Sequence, residues 1–460
     1  MSTEAPSAPQ KINLRRPDIM AAVQAQVLSH YRSELVERIR ANGHILSAAD
    51  LTVKLAKEFG FCYGVERAID LAYAARRAYP DRRIFLLGEI IHNPEVNDQI
   101  RRMGIVTIAG KPQDEEINQL KPEDIVIIPA FGTEVATRKK LEEKGCLFVD
   151  TTCGDVMSVW KRVRQYSKDA VTSIIHGKAW HEETKATSSQ ATATGGHYLV
   201  VFTLAETDYV CDYIVHGGSK LEFLEKFKGA YSVGFDPDIH LVAVGVANQT
   251  TMLRGETDYV CEYIIHGGNK AEFLAKFKGA YSEGFDPDVH LQAIGVANQT
   301  TMLRGETEEV QRRLKAAMIQ KYGELGLPNH FRFFDTICGA TQDRQDALEK
   351  LLRQPLDLLL VIGGYNSSNT SHLAEMGESK LPTYFIKNAA KMESAALIRH
   401  YDQHRHQEIE TRDWLPSGKV TAGITAGASC PNNLIEDTIR RLFELRGISV
   451  QQVLHSDTKE

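Results

Sequence analysis

Phe148-Val149-Asp150-Thr151-Thr152-Cys153-Gly154 is the stretch on which the fold turns. The chain repeats it almost letter for letter as Phe333-Phe334-Asp335-Thr336-Ile337-Cys338-Gly339, and in a looser form as Glu58-Phe59-Gly60-Phe61-Cys62-Tyr63-Gly64. Each time an apolar, β-favouring run ends at a cysteine and a helical pattern follows. Three equivalent cysteines at strand-to-helix junctions predict three like α/β domains meeting at one thiolate-bound centre. Strands alternate with helices around the junctions, which predicts parallel sheets. Functional loops of such sheets lie at the carboxyl ends of strands, and Cys62, Cys153 and Cys338 all fall there.

Outward from Cys153, the first unit reads as strand Leu51–Ala56, helix Gly64–Ala78, strand Ile84–Leu87, a loop through His92, strand Ile125–Ile128, helix Thr137–Lys144 and strand Leu147–Val149. Upstream, Ile19, Val23, Val27, Tyr31, Leu35 and Ile39 share one helical face, so a single helix is expected over Asp18–Asn42. Beyond Cys153 lies Ile174–Thr184, followed by a small-residue stretch, Ser188–Gly196, expected as a loop. The expected division is 1–50 (an extension with one helix), 51–153, 154–335 and 336–446 (three α/β domains), and a tail at 447–460. In the third domain, Leu358–Ile362 is fully apolar, as suits a buried parallel strand. Val420–Ile424 is a second strand, with a helix from Asn432 to Arg446.

The middle domain carries a tandem duplication. Thr207–Glu256 and Thr257–Glu306 are about four-fifths identical, and both end in Gly-Val-Ala-Asn-Gln-Thr-Thr-Met-Leu-Arg-Gly-Glu. Two copies are fewer than the roughly three that a solenoid stack needs, so this is one structural unit copied once. A sheet built for one copy is expected to leave the other bulging outward. The second copy keeps its downstream helix, which favours Thr300 over Thr250 as the working threonine.

Composition narrows the function. The 460 residues are 43% hydrophobic and 25% charged, with net charge −6, so neither nucleic acid nor an anionic membrane surface is the expected partner. No apolar run approaches the roughly 18–20 residues needed to cross a bilayer. The N-terminus resembles neither a secretory signal nor a transit peptide. Seven cysteines, sparse and odd in number, do not read as a disulfide framework. The expected compartment is the reducing cytoplasm.

Helix-start cysteines are biased toward thiolate, the form that binds metal. Three of them suit a [4Fe–4S] cluster with one iron open, and zinc held by three Cys and one His is the metal alternative. Cys146, Cys211 and Cys261 read as structural. Asn366-Ser367-Ser368-Asn369 before a helix forms a candidate phosphate cradle, with Ser429 in a similar setting. Ser429 lies in an incomplete nucleophile-elbow pattern. His92, His181 and Glu183 are candidates for anion binding and proton transfer.

Eight motifs in order now carry a resemblance, from about Val53 to Leu445. They are Gly60-Phe61-Cys62-Tyr63-Gly64-Val65, Glu89-Ile90-Ile91-His92-Asn93, Asp150-Thr151-Thr152-Cys153, His181-Glu182-Glu183, Asn298-Gln299-Thr300-Thr301, Asp335-Thr336-Ile337-Cys338, Asn366-Ser367-Ser368-Asn369 and Thr425-Ala426-Gly427-Ala428-Ser429. With them the chain resembles the 4-hydroxy-3-methylbut-2-enyl diphosphate reductase family, in its cyanobacterial and plant-type branch, which acts at the last step of the methylerythritol phosphate route to isoprenoids. The resemblance implies three pseudo-threefold-related domains with parallel sheets around one [4Fe–4S] cluster held by Cys62, Cys153 and Cys338. It implies that His92, His181, Ser367, Asn369 and Ser429, with Ser368 close by, hold the substrate diphosphate, and that Glu183 delivers protons with Thr300 or Thr250. Two electrons and two protons would remove the hydroxyl as water through an allyl anion equivalent, giving isopentenyl or dimethylallyl diphosphate. Ferredoxin or flavodoxin would supply the electrons to a monomer or homodimer.

The chain departs from that pattern at Phe131, where many bacterial members have histidine, and at the duplication. Two competing readings are another three-cysteine iron–sulfur enzyme resembling quinolinate synthase, and a catalytically inactive iron–sulfur protein.

Overall fold

A computed structural model describes residues 14–108, 113–201 and 338–450. Between 202 and 337 it describes only residues 206, 209–210, 213, 219–235, 240, 244–248, 294–297, 315, 319, 323–327 and 331–334. The strands are β1 (Ile45–Ala48), β2 (Leu51–Leu55), β3 (Ile84–Leu87), β4 (Ile105–Ile108), β5 (Ile125–Ile128), β6 (Leu147–Asp150), β7 (Thr172–His176), β8 (Tyr198–Val201) and β9 (Val244–Asn248). They continue with β10 (Ile294–Ala297), β11 (Phe331–Phe334), β12 (Leu358–Ile362), β13 (Thr383–Ile386), β14 (Met392–Ser394), β15 (Leu397–Asp402), β16 (Gln407–Arg412) and β17 (Val420–Ala426).

Three sheets repeat one plan. The first runs β4-β3-β5-β6, the second β8-β7-β9-β10-β11, and the third β13-β12-β17-β2-β1. Apart from β1, which is antiparallel to β2, all their pairings are parallel. A strand that can be buried on both faces needs a continuous apolar run. Ile125–Ile128 and Leu358–Ile362 are such runs, and every residue of both strands is buried. In each sheet the strand that leads to a cysteine is reached across the middle strands. These are β6 for Cys153, β11 for Cys338 and β2 for Cys62.

Four sequence expectations need correcting. The extension forms two helices, Pro17–Tyr31 and Glu34–Ala41, rather than one. Arg32 is extended, and the Ser33 hydroxyl accepts from the Val36 N–H at 2.9 Å, which caps the second helix. The break lets Val23 and Tyr31 join the core of the first sheet while Leu35, Val36 and Ile39 join that of the third.

Strand β2, expected to open the first domain, instead pairs with β17 in the third sheet, with Thr52 opposite Thr421 and Val53 opposite Ala422. The chain therefore closes its last sheet with one of its earliest strands. Local periodicity cannot reveal such a long-range pairing.

Most of the expected loop Ser188–Gly196 belongs to the helix Glu182–Ala193. Its small side chains are packed rather than solvated: Ala186, Thr187, Gln190 and Ala191 are buried, and the Trp160 indole N–H donates to Thr187 Oγ1 at 3.2 Å.

Both copies of the duplicated strand enter the second sheet. Val244 pairs with Ile294, and Val246 with Val296, so equivalent positions of the two copies lie side by side. An interior parallel strand hydrogen-bonds on both edges, so a second copy presents the same edges and extends the ladder by one strand. The antiparallel sheet β14-β15-β16 had no counterpart in the sequence reading.

Candidate active site

Cys62, Cys153 and Cys338 are each the N-cap of a helix: Tyr63–Ala78, Gly154–Lys168 and Gly339–Leu352. The backbone at each cap is extended, as a strand-to-helix junction requires. Main-chain bonds repeat as well. Cys153 N–H donates to the Ala130 carbonyl at 2.8 Å, and Cys62 N–H to the Ala428 carbonyl at 3.2 Å. Arginines tie the domains together at these loops. Arg67, on the helix after Cys62, donates to the Thr151 and Thr152 carbonyls at 3.1 and 3.0 Å. Arg344, on the helix after Cys338 and buried, donates to the Gly60 and Phe61 carbonyls at 2.6 and 3.1 Å.

The three cysteines line one cavity of about 480 Å³ together with His92, Phe131, His181, Glu183, Ser367, Ser368, Asn369 and Ser429. Every candidate site residue within the described chain therefore meets at a single place. Thr250 and Thr300 lie outside the described residues.

The fit to a metal cluster rests on space and spacing. A Cβ on Gly64 would stand 2.7 Å from Cys153 Sγ and 3.9 Å from Cys62 Sγ, so only glycine leaves the sulfurs room. Among the described residues the cysteines do not form a group tight enough for one ion, whereas His92, His181 and Glu182 have donor atoms within 4.8 Å of one another. Zinc needs its four ligands on one ion. A cluster that takes one sulfur per iron accepts the wider set. Burial pushes the Cys153 thiol up, and pushes Cys338 up to about 12, outweighing the helix amides that favour thiolate. Free, these are poor nucleophiles. A cationic partner would reverse that balance.

The polar wall opposite reads as an anion site. Three side-chain nitrogens are buried without a hydrogen-bond partner among the described residues: His92 Nε2, His181 Nε2 and Asn369 Nδ2. Neighbours fix their protonation. His181 Nδ1 accepts from the Glu183 N–H at 3.2 Å, so in the neutral ring the proton sits on Nε2. Burial, then the charge of His92, lowers the His181 pKa well below its ordinary value, which keeps the ring neutral. Asn369 Oδ1 accepts from the Ala428 N–H at 2.9 Å, which turns Nδ2 toward the cavity as a donor. The same tautomer argues against a metal at His92, His181 and Glu182, because a ligating His181 Nε2 would have to lose its proton.

The loop before the helix Ser368–Glu378 is built for close approach. Ser367 is the N-cap of the helix Ser368–Glu378, yet its side chain makes no capping bond. It accepts instead from Thr370 Oγ1 at 3.0 Å, with Ser429 Oγ 3.4 Å away. The first-turn amides are thus left for a ligand. A Cβ on Gly364 would overlap the His92 carbonyl, and that carbonyl also accepts from Ser429 Oγ at 3.1 Å.

Sequence reasoning missed Phe131 as a contact of His92, gave no role to Glu89, and placed Asn366 in the candidate phosphate cradle without its bond to Glu89. The Phe131 and His92 rings stack at 4.8 Å and 7°, and His181 meets His92 edge-on at 4.9 Å. Glu89 and Asn366 stand inside quoted motifs, but they meet each other only through the fold, 277 residues apart.

Fold and site together define an α/β protein that gathers three thiols and a set of buried polar side chains around one cavity. The chain belongs to the LytB protein family, whose profile matches residues 53–277 and again 263–443. The two matches overlap, as a chain carrying one segment twice requires. It is 42% identical over 435 residues to the 4-hydroxy-3-methylbut-2-enyl diphosphate reductase of Gloeobacter violaceus, covering 94% of this chain and 91% of that one. It is also 42% identical to the reductase of the same name from Thermosynechococcus vestitus, covering 93% of each. Among solved structures, the E-1-hydroxy-2-methyl-but-2-enyl-4-diphosphate reductase from Plasmodium falciparum shares the fold, with a TM-score of 0.55 at 17% identity over 88% of this chain and 98% of that one. No helix among the described residues is long and apolar enough to cross a membrane.

Proposed function

We propose that this chain is a reductase that removes the hydroxyl of 4-hydroxy-3-methylbut-2-enyl diphosphate to give isopentenyl and dimethylallyl diphosphate. The observation that carries the reading is the set of three buried side-chain nitrogens on His92, His181 and Asn369, unpartnered among the described residues and facing the same cavity as three cysteines. A buried donor left unsatisfied costs about 1–3 kcal/mol. A diphosphate would satisfy all three and use the amides at the Ser368–Glu378 helix start.

Cys62, Cys153 and Cys338 would hold a [4Fe–4S] cluster. When bound, it would supply the two electrons and an open, Lewis-acidic iron for the hydroxyl. His181 donates from Nε2 as a neutral group. His92, Ser367, Ser368, Asn369 and Ser429 complete the grip on the diphosphate, and this fixes the allylic alcohol at the cysteine end of the cavity. Glu183 is buried on the cavity wall and at the start of its helix. It is the proton source for the departing hydroxyl, which leaves as water, and for the allylic carbon, with a threonine hydroxyl assisting. The C–O bond breaks, and two electrons and two protons are consumed per product. Ferredoxin or flavodoxin would deliver the electrons.

The test is anaerobic incubation of cluster-loaded protein with substrate and a reduced viologen. Appearance of both five-carbon diphosphates is expected. Protein that holds its cluster yet forms neither product would contradict the reading.

A further inference from the structure

We propose that Glu89 is a positioning residue that turns His92 into a two-sided hydrogen-bond donor, one side to itself and the other to the substrate's diphosphate; this rests on the diphosphate reading above. Glu89 Oε2 lies 3.0 Å from His92 Nδ1 and accepts from Asn366 Nδ2 at 2.9 Å. One carboxylate of the first domain therefore joins the histidine on its own loop to the start of the phosphate loop in the third.

The chemistry follows from the ring. A carboxylate at Nδ1 requires that nitrogen to carry a proton. For His92 also to donate from Nε2 to a phosphoryl oxygen, both nitrogens must carry protons, with the Glu89 carboxylate and the bound diphosphate accepting one each. Burial raises Glu89, but the hydrogen bond and charge of His92, then Asn366 and Arg101, hold it below its ordinary value, so it stays an acceptor. Phe131 presents its ring face to the same imidazole. From the remaining sides His92 meets the His181 edge, Asn366 Nδ2 at 3.3 Å from Nδ1 and, through its carbonyl, Ser429. The two histidines thus divide the work. His181 is a fixed neutral donor, and His92 is oriented by Glu89. An Asn366 side chain held on that carboxylate leaves Ser367 and the helix amides facing the ligand.

The probe is inorganic pyrophosphate, with binding to the cluster-loaded chain followed by calorimetry from pH 6 to 9. E89Q keeps the shape and removes the charge. It is expected to weaken pyrophosphate about tenfold near neutral pH, the worth of one charge-assisted hydrogen bond. In turnover the change should appear in KM, with kcat within about twofold. E89D, which retains the carboxylate, should recover most of the affinity. In a His92→Asn background, E89Q should add nothing, because Glu89 acts through His92. Unchanged affinity in E89Q at every pH, or a full additional loss in the His92→Asn background, would overturn the role of Glu89. If E89Q fails to load its cluster, Glu89→Ala in the wild-type and His92→Asn backgrounds decides: a tenfold loss only where His92 is present supports the proposal, and no loss, or an equal loss in both, overturns it. Wild-type protein that does not bind pyrophosphate at all would overturn the diphosphate reading itself.

Discussion

His92 and Phe131 lie face to face, 4.8 Å between ring centroids and 7° from parallel. Phe131 comes from the loop after β5 and His92 from the loop after β3, so two neighbouring strand ends of one sheet set the stack. The Phe131 plate gives the imidazole a fixed orientation.

Phe131→Leu keeps most of the apolar volume and removes the plate. We expect KM for the diphosphate substrate to rise several-fold while kcat stays within about twofold, the pattern of lost uniform binding. Steady-state kinetics checks it; a fall in kcat with KM unchanged would place Phe131 at the reacting atoms instead.

The cysteines separate into two groups. Cys62→Ser, Cys153→Ser and Cys338→Ser should each yield protein with far less iron and no turnover. Cys430→Ala and Cys146→Ala, at fully buried positions that do not line the cavity, should retain iron and lose only stability. Gly64→Ala should act like the first group by filling the space beside Cys153 and Cys62. Iron and sulfide per chain, measured with a thermal melt, distinguish loss of the cluster from loss of the fold.

Acid should destabilise the protein through buried histidines. Burial lowers the His181 pKa well below the usual value, and lowers His197 to about 4, with His240 contributing. The unfolded chain therefore binds more protons than the folded one once pH drops below about 6.5. Their stabilising contribution is fully present above that value and is lost as pH falls toward 4. His197→Gln should flatten the drop in urea midpoint between pH 7 and pH 5, while a drop as steep as the wild type's would contradict the assignment.

The duplication makes the second sheet one strand wider than the four parallel strands of the other two. β10, not β9, borders β11, the strand that leads to Cys338. In the first sheet the strand bordering β6 is β5, which continues directly into Ala130 and Phe131. By that parallel the second copy is the one expected to supply the working threonine. Thr300→Ala should abolish turnover and Thr250→Ala should leave most of it. Deleting residues 257–306 should give a four-stranded sheet, with the single remaining threonine active. Rates per cluster for these three variants check the assignment.

Much of the fold was legible because each core strand is a short apolar run that stops at a glycine, a cysteine or a polar loop. β5 and β12 could be read from their letters alone. Helix Glu182–Ala193 was not, because Ala, Thr and Ser carry little hydrophobic periodicity and its face is set by partners such as Trp160. The place of β2 was hidden for a different reason. Its partner β17 lies hundreds of residues on, and any parallel edge would have satisfied it. At the site, residue types announced His92, His181 and the cysteines. Glu89 became meaningful only once folding set it between His92 and Asn366.

The most direct measurement is an electron count. Cluster-loaded wild-type protein, kept strictly anaerobic with limiting 4-hydroxy-3-methylbut-2-enyl diphosphate, is given excess reduced viologen, and the dye oxidised is compared with the substrate lost. The account predicts two electrons per molecule, with every hydroxyl lost recovered as one of the two five-carbon diphosphates. Dye oxidation without loss of the hydroxyl, or no oxidation by protein with a full complement of iron, would contradict it.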